Sequence, residues 1–276
     1  MDPELPLTRL VLRAGSVAQD LTFVALADAT TLFFDGSHPR SLLIGGQMVT
    51  LHAYRWGLGA ELYRESLDTD MGVPLVALQD PDLVPRIEGL GYRRTSGNTF
   101  ARVVDDLPPD LPVGAERAAV IELLAPAFTS RVRSNVRIGD LAVTEVPGLA
   151  IAMQRSSTVV ELLLTRLNEQ VLDAKAHLPD EVSCLLLRAH AWRVRGDDRD
   201  AIDVWRALEI AYRANVGTDQ FAGGPLGDAA ALLRASFGTE DAPGTRAALS
   251  GRSLVPSAPL GPRIVALVRE VLGTPI

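Results

Sequence analysis

The sequence predicts a mixed α/β fold over residues 1–178 and a helical domain over residues 179–276. Three observations point there. Short runs with strand-like composition, "SLDTDMGV", "FARVV" and "AAVIELLAP", alternate with helical periods through the first two thirds of the chain. From Pro179 onward the apolar spacing becomes that of long helices. A chain of 276 residues that is 47% hydrophobic, with no internal repeat, can bury a sizeable core.

In chain order, residues 7–28 carry apolar residues at mixed helical spacing and read as mostly helix. "TLFFDGSHPRSLLIGG" reads as a short strand, a turn over 35–39 and an apolar run ending at Gly45 and Gly46. "QMVTLHAYRWG" sets Met48, Leu51 and Trp56 on one helical face, with Gly57 as the stop. "SLDTDMGV" and "PLVAL" look like strands, and "DPDLVPRIEGLGYRR" like a short helix begun near residues 80–82. "FARVV" and "AAVIELLAP" are strands around the turn cluster "DDLPPDLPVGAE". Residues 157–178 predict a β-hairpin over a helix, because β-branched residues open the segment. "DEVSCLLLRAHAWRVRG", "DDRDAIDVWRALEIAYRANVG", "LGDAAALLRASFG" and "PRIVALVREVLG" are helices, the first two an αα-hairpin turned at Gly196 with Asp197 or Asp198 as N-cap.

Composition narrows the function classes. A single cysteine, Cys184 within "VSCLLL", excludes an intrachain disulfide and a cysteine-ligated cluster. No run reaches the roughly 20 apolar residues of a membrane span, and the acidic start MDPELP lacks a basic signal region, so the cytoplasm is expected. The net charge of −7 argues against a broadly basic nucleic-acid surface. Lys175 is the only lysine, so almost every cation is a guanidinium suited to bidentate contacts. Three of these, Arg131, Arg133 and Arg137, crowd into "TSRVRSNVRIGD", where a strand would put the first two on one face.

The stretch Ser41 to Val73, "SLLIGGQMVTLHAYRWGLGAELYRESLDTDMGV", carries the chemistry. Residues two apart on a strand share a face, so Asp68 and Asp70 would direct both carboxylates into one volume, roughly 7 Å apart. Such a pair needs a counter-ion, and Mg²⁺ or Mn²⁺ suits carboxylate oxygens together with substrate phosphates. The glycine pair precedes a helix, whose start offers N–H groups and partial positive charge to a phosphate; an ordinary strand-to-helix turn is the alternative. His52 and His190 have no partner at metal-site spacing and read as packing residues, as do Trp192 and Trp205.

"LIGGQMVTLHAYRWG…YRESLDTDMGV" resembles the nucleotidyltransferase (polymerase-beta-like) superfamily in its abortive-infection AbiEii form, which includes the MenT toxins. Gly45 and Gly46 match the family's glycine pair, and Arg64, Ser66, Asp68 and Asp70 match its R-x-S/T-x-D-x-D strand. "VIELLAP" is similar to the string that supplies the third metal-binding carboxylate, with Glu122 in place of aspartate; Glu161 in "VVELLL" is the reserve. "LLLRAHAWRVRGDDRDAIDVW" resembles a second family segment, with Arg188 for a lysine that contacts the triphosphate and Asp200 orienting it or an adjacent arginine.

The resemblance implies a mixed-sheet nucleotidyltransferase domain with a helical C-terminal domain and an active site in the cleft between them. It implies Asp68, Asp70 and Glu122 as metal ligands, Gly45, Gly46, Arg64, Ser66 and Arg188 as nucleotide-binding residues, and a nucleoside triphosphate (NTP) as substrate. The reaction would transfer a nucleoside monophosphate to an acceptor hydroxyl, the 3′ end of tRNA for the toxins, with a cognate antitoxin as partner. A small-molecule or protein acceptor, and a non-catalytic binding protein of the same fold, are the rival readings.

Overall fold

The structure, a computed structural model, describes residues 8–34, 40–59, 62–63, 65–66, 68–107, 117–251 and 259–274. The chain divides into two compact units, Leu7–Met48 with Glu65–Pro179, and Val49–Arg64 with the C-terminal residues from Asp180. The first is α/β with mixed sheets and the second is helical. Relative to a single cut at residue 178, the segment 49–64 groups with the helices.

The α/β unit opens with β1 (Arg9–Arg13), where exposed arginines and Val11 alternate with buried Leu10 and Leu12. That period of two makes a strand of residues expected to begin a helix. The helix follows as α1 (Val17–Phe33), capped by Ser16, whose side chain accepts from Gln19 N at 3.2 Å. "TLF", read as a strand, is the last turn of α1.

Then come β2 (Leu42–Leu43), α2 (Gly45–Arg55), β3 (Thr69–Gly72), α3 (Leu75–Leu78), α4 (Leu83–Gly89), β4 (Arg93–Arg94), β5 (Thr99–Val103) and β6 (Ala118–Pro126). The run "PLVAL" is the helix α3 and not a strand: Val73 N makes the last ladder bond, to Leu124 O at 2.8 Å, and Pro74 sets the helical entry. After β6 lie β7 (Arg133–Ile138), β8 (Leu141–Val146), α5 (Leu149–Gln154), β9 (Ser157–Thr165) and β10 (Val171–Pro179). The expected hairpin over 157–178 is β9 and β10, paired antiparallel.

Strand order in the larger sheet is β2-β3-β6-β5-β4, with β8 taking over from β5 along the far half of β6 and β7 pairing β8. β3 runs parallel to β6, while β2 and β5 run antiparallel to their neighbours. The smaller sheet is β1-β9-β10. α1 packs against β10 of the small sheet and β6 of the large one. Leu42, Leu43, Phe100, Ile121 and Leu123 are fully buried in this unit, each burial stabilising by about 1.5–3 kcal/mol. A buried ion pair joins this core: Arg166 donates to Asp20 at 2.8 Å and, outward, to the exposed Asp106, and Leu167 N donates to Asp20 at 2.7 Å. Asp20 has no exposed surface, so these donors compensate its lost hydration.

The helical unit contains α6 (Glu181–Arg195), α7 (Asp198–Arg213), a 3-10 turn (Thr218–Phe221), α8 (Gly224–Phe237), α9 (Pro243–Ser250) and α10 (Leu260–Leu272). The α6–α7 hairpin turns as expected: Gly196 is left-handed at φ 64° and Asp197 caps α7, accepting from Asp200 N at 2.8 Å. α9 is a helix the spacing did not disclose. The end of α2 joins this unit through Glu181, which accepts from Trp56 Nε1 at 2.9 Å and Arg55 at 3.4 Å. Among the described residues no helix is long and apolar enough to cross a membrane.

Candidate metal centre

Three carboxylates meet on one face of the larger sheet. Parallel pairing sets Asp70 of β3 opposite Glu122 of β6, and neighbouring strands lie about 4.8 Å apart. Asp68 sits in the bend just ahead of β3, not within it. One oxygen from each of Asp68, Asp70 and Glu122 lies within 4.8 Å of the others, and all three residues are half-buried. The strand alternation explains the face: Thr69, Met71, Ile121 and Leu123 point into the core, so the residues between them point away.

Hydrogen bonds hold Asp68 and Glu122. Ser66 Oγ donates to Asp68 Oδ1 at 3.0 Å, and Ser66 is itself fixed because its carbonyl accepts from Thr22 Oγ1 of α1 at 2.7 Å. Asn98 Nδ2 donates to Glu122 Oε1 at 3.1 Å. Asp70 packs against the start of α2, with Ile44 N donating to its carbonyl at 2.9 Å. Gly45 is left-handed there, at φ 73°, and a Cβ on it would lie 2.7 Å from Asp70 Cγ and 2.9 Å from Asp70 Cβ. Only glycine allows both the turn and the approach. The partial positive charge of the helix start opposes the repulsion among the acids.

The donor set fits a hard divalent cation. Three carboxylate oxygens, two from adjacent strands and one from the bend ahead of β3, suit Mg²⁺ or Mn²⁺ and leave the remaining coordination positions to water or phosphate oxygens. A glycine cradle wide enough only for the Asp70 carboxylate is consistent with a centre built around that acid.

The remaining predicted residues fall as follows. Gly46 is the second residue of α2 and is buried. Arg64 lies outside the described residues. Glu161 belongs to β9 in the other sheet, exposed and 3.9 Å from Lys175, so Glu122 and not Glu161 is the acid the fold brings to Asp70. Arg188 and Asp200 belong to the helical unit, on α6 and α7. They are not paired with each other. Asp200 is gripped by Arg195, whose Nε donates to Oδ2 at 2.7 Å, while Arg188 lies 3.6 Å from Asp203. Asp203 also accepts from Arg206 at 2.8 Å, and the buried Arg206 guanidinium donates further to Thr50 Oγ1 at 2.8 Å and to Leu62 O.

Arg131 precedes β7 and so does not share a strand face with Arg133, which is held by Glu145 through bonds of 2.6 and 2.7 Å. Trp192 packs edge-on against Phe237, and Trp205 donates to Glu209 at 3.3 Å. Cys184 is buried, and burial pushes its thiol up to about 12. Asn98 is the contributor the sequence did not disclose; an asparagine in "TSGNTF" reads only as a turn residue.

Comparison with models of known families, with curated proteins and with solved structures gives no match in any of the three.

Proposed function

We propose that the chain is a metal-dependent nucleotidyltransferase, moving a nucleoside monophosphate from an NTP to an acceptor hydroxyl. The observation that carries this reading is the convergence of Asp68, Asp70 and Glu122 beside a helix start that only glycine can form. In the reaction the acceptor oxygen attacks the α-phosphorus. A new O–P bond forms, the bond from that phosphorus to the bridging oxygen breaks, pyrophosphate departs and the hydroxyl proton passes to solvent.

Asp68, Asp70 and Glu122 would hold Mg²⁺ or Mn²⁺, which when bound supplies positive charge to the phosphate oxygens. Ser66 orients Asp68, and the Gly45–Gly46 helix start receives phosphate charge. The sequence resemblance would give Arg188 the triphosphate contact and Asp200 the orienting of an adjacent arginine, and the arginine that Asp200 accepts from is Arg195. The acceptor that the sequence resemblance favours is the 3′ end of a tRNA, in a cytoplasmic toxin held in check by an antitoxin. A small-molecule or protein acceptor is the second reading, favoured by the net charge of −7 and by the engagement of Arg133 with Glu145.

Incubation with labelled NTPs, Mg²⁺ and either total tRNA or total protein tests the proposal and separates the acceptors. Asp70→Asn is expected to abolish transfer, while its melting temperature in EDTA stays equal to wild type or rises, since one of three mutually repelling charges is gone. Unchanged transfer in both Asp70→Asn and Asp68→Asn would overturn the catalytic reading.

A further inference from the structure

We infer that Asn98 is a positioning residue for the metal centre, fixing the Glu122 carboxylate toward Asp68 and Asp70; this rests on the metal-dependent reading above. Glu122 has one more rotatable side-chain bond than the two aspartates beside it, so its carboxylate needs an external restraint to stay in a shared oxygen cluster. Asn98 supplies that restraint. Its Nδ2 donates both to Glu122 Oε1 at 3.1 Å and to Leu123 O at 2.8 Å. Both partners are pure acceptors, which fixes the amide orientation.

The backbone locks the same residue. Leu123 N donates to Asn98 O at 2.9 Å, so Asn98 bridges the point where β6 exchanges β5 for β8 as its neighbour. The turn that carries it is anchored on either side: Thr95 N donates to Thr99 O at 2.9 Å, and Ala142 N of β8 donates to Gly97 O at 3.2 Å. A Cβ on Gly97 would lie 2.9 Å from Ala142 Cβ, so the turn approaches β8 more closely than a side chain at this position would permit. Asn98 is 7% exposed, and a buried amide with two of its donor contacts spent on one strand is a rigid support. It touches neither substrate nor metal in this role. It acts through Glu122.

Mn²⁺ binding to the purified full chain, followed by the loss of the free-ion EPR signal, tests this without any turnover. Asn98→Leu keeps the volume and removes the donor; it is expected to weaken Mn²⁺ binding at least tenfold. The same substitution made in a Glu122→Gln background is expected to change Mn²⁺ affinity no further, because the group it positions is no longer a ligand. Asn98→Gln, which keeps an amide on a longer arm, should bind with intermediate affinity, and it carries the test if the leucine variant does not fold. Wild-type affinity in Asn98→Leu, or in Asn98→Gln if that is the variant available, would overturn the role of Asn98 and leave the metal centre standing. An equal loss in both backgrounds would make Asn98 a structural residue only. A wild-type chain that takes up no Mn²⁺, or takes it up unchanged in Asp70→Asn, would overturn the metal reading itself.

Discussion

At the scale of single residues, two glycines with similar backbones make opposite predictions. Gly45 at φ 73° and Gly57 at φ 59° both occupy left-handed conformations, but a Cβ on Gly45 would collide with Asp70, whereas a Cβ on Gly57 would meet nothing within 4 Å. Gly57→Ala is therefore expected to cost about 1 kcal/mol, the ordinary penalty of that conformation, and to leave Mn²⁺ binding intact. Gly45→Ala is expected to cost about 2–4 kcal/mol and to abolish Mn²⁺ binding, since Asp70 must move to admit the methyl group. Urea unfolding midpoints and Mn²⁺ titration check both. Equal losses in the two variants would mean that Gly45 serves only the turn. The glycine pair was legible in the sequence because it follows from a local rule of backbone geometry, whereas the strand alternation expected to align the two aspartates does not apply, since Asp68 lies in the bend ahead of β3. The contact between Gly45 and Asp70 was not legible, since 25 residues separate them and only the β2–β3 pairing brings them together.

Among elements, the α6–α7 hairpin holds two guanidiniums on one carboxylate. Asp203 is 1% exposed and faces Arg188 at 3.6 Å and Arg206 at 2.8 Å. Removing the shared acid takes one counter-charge from two buried guanidiniums, whereas removing Arg188 leaves Asp203 still paired with Arg206. Asp203→Ala is expected to cost about 3–5 kcal/mol. Arg188→Ala is expected to cost about 1 kcal/mol in stability, and on the proposed triphosphate role NTP affinity is expected to fall by about 1–3 kcal/mol. Chemical denaturation compared with NTP titration separates the two effects. A cost for Arg188→Ala as large as that for Asp203→Ala, with NTP affinity unchanged, would make Arg188 a structural residue. The hairpin itself was legible, down to the turn at Gly196 and a cap at Asp197 or Asp198, because caps are local. Its ion pairing was not: Asp200 and Asp203 both lie within reach of an arginine on paper, and the rotation of α7 decides that Arg195 takes one and Arg188 with Arg206 the other.

At the scale of the whole molecule, acid sensitivity is the expected signature of a buried histidine. Burial lowers His190 to about 4, with nearby Arg193 acting in the same direction and Asp228 against it, and its Nδ1 has no hydrogen-bond partner. An unfolded histidine titrates near 6.5, so between about pH 6.5 and 4 the unfolded chain binds the proton and the folded one does not. The stability contributed by the neutral ring is therefore complete above pH 6.5 and is lost as pH falls toward 4. The loss between pH 7 and 5 is expected to be about 1–2 kcal/mol, after allowance for partial screening. His190→Gln should flatten that part of the profile. Identical pH dependence of the wild-type and variant melting temperatures would show that the ring is not held neutral.

The sequence by itself determined the alternation of strand and helix, the change of character after residue 178, the hairpin over 157–178 and the glycine start of α2, because each is written in spacing that local sterics and burial interpret directly. It misread β1 and α3 because short apolar runs fit either period, and the choice falls to the sheet edge or proline that adjoins them. Only the tertiary structure decided that Glu122 rather than Glu161 joins the aspartates, that Asn98 restrains it, and that Arg133 is engaged by Glu145. Those outcomes depend on strand order and register, and register is fixed by the packing of the whole sheet, which no window of sequence contains.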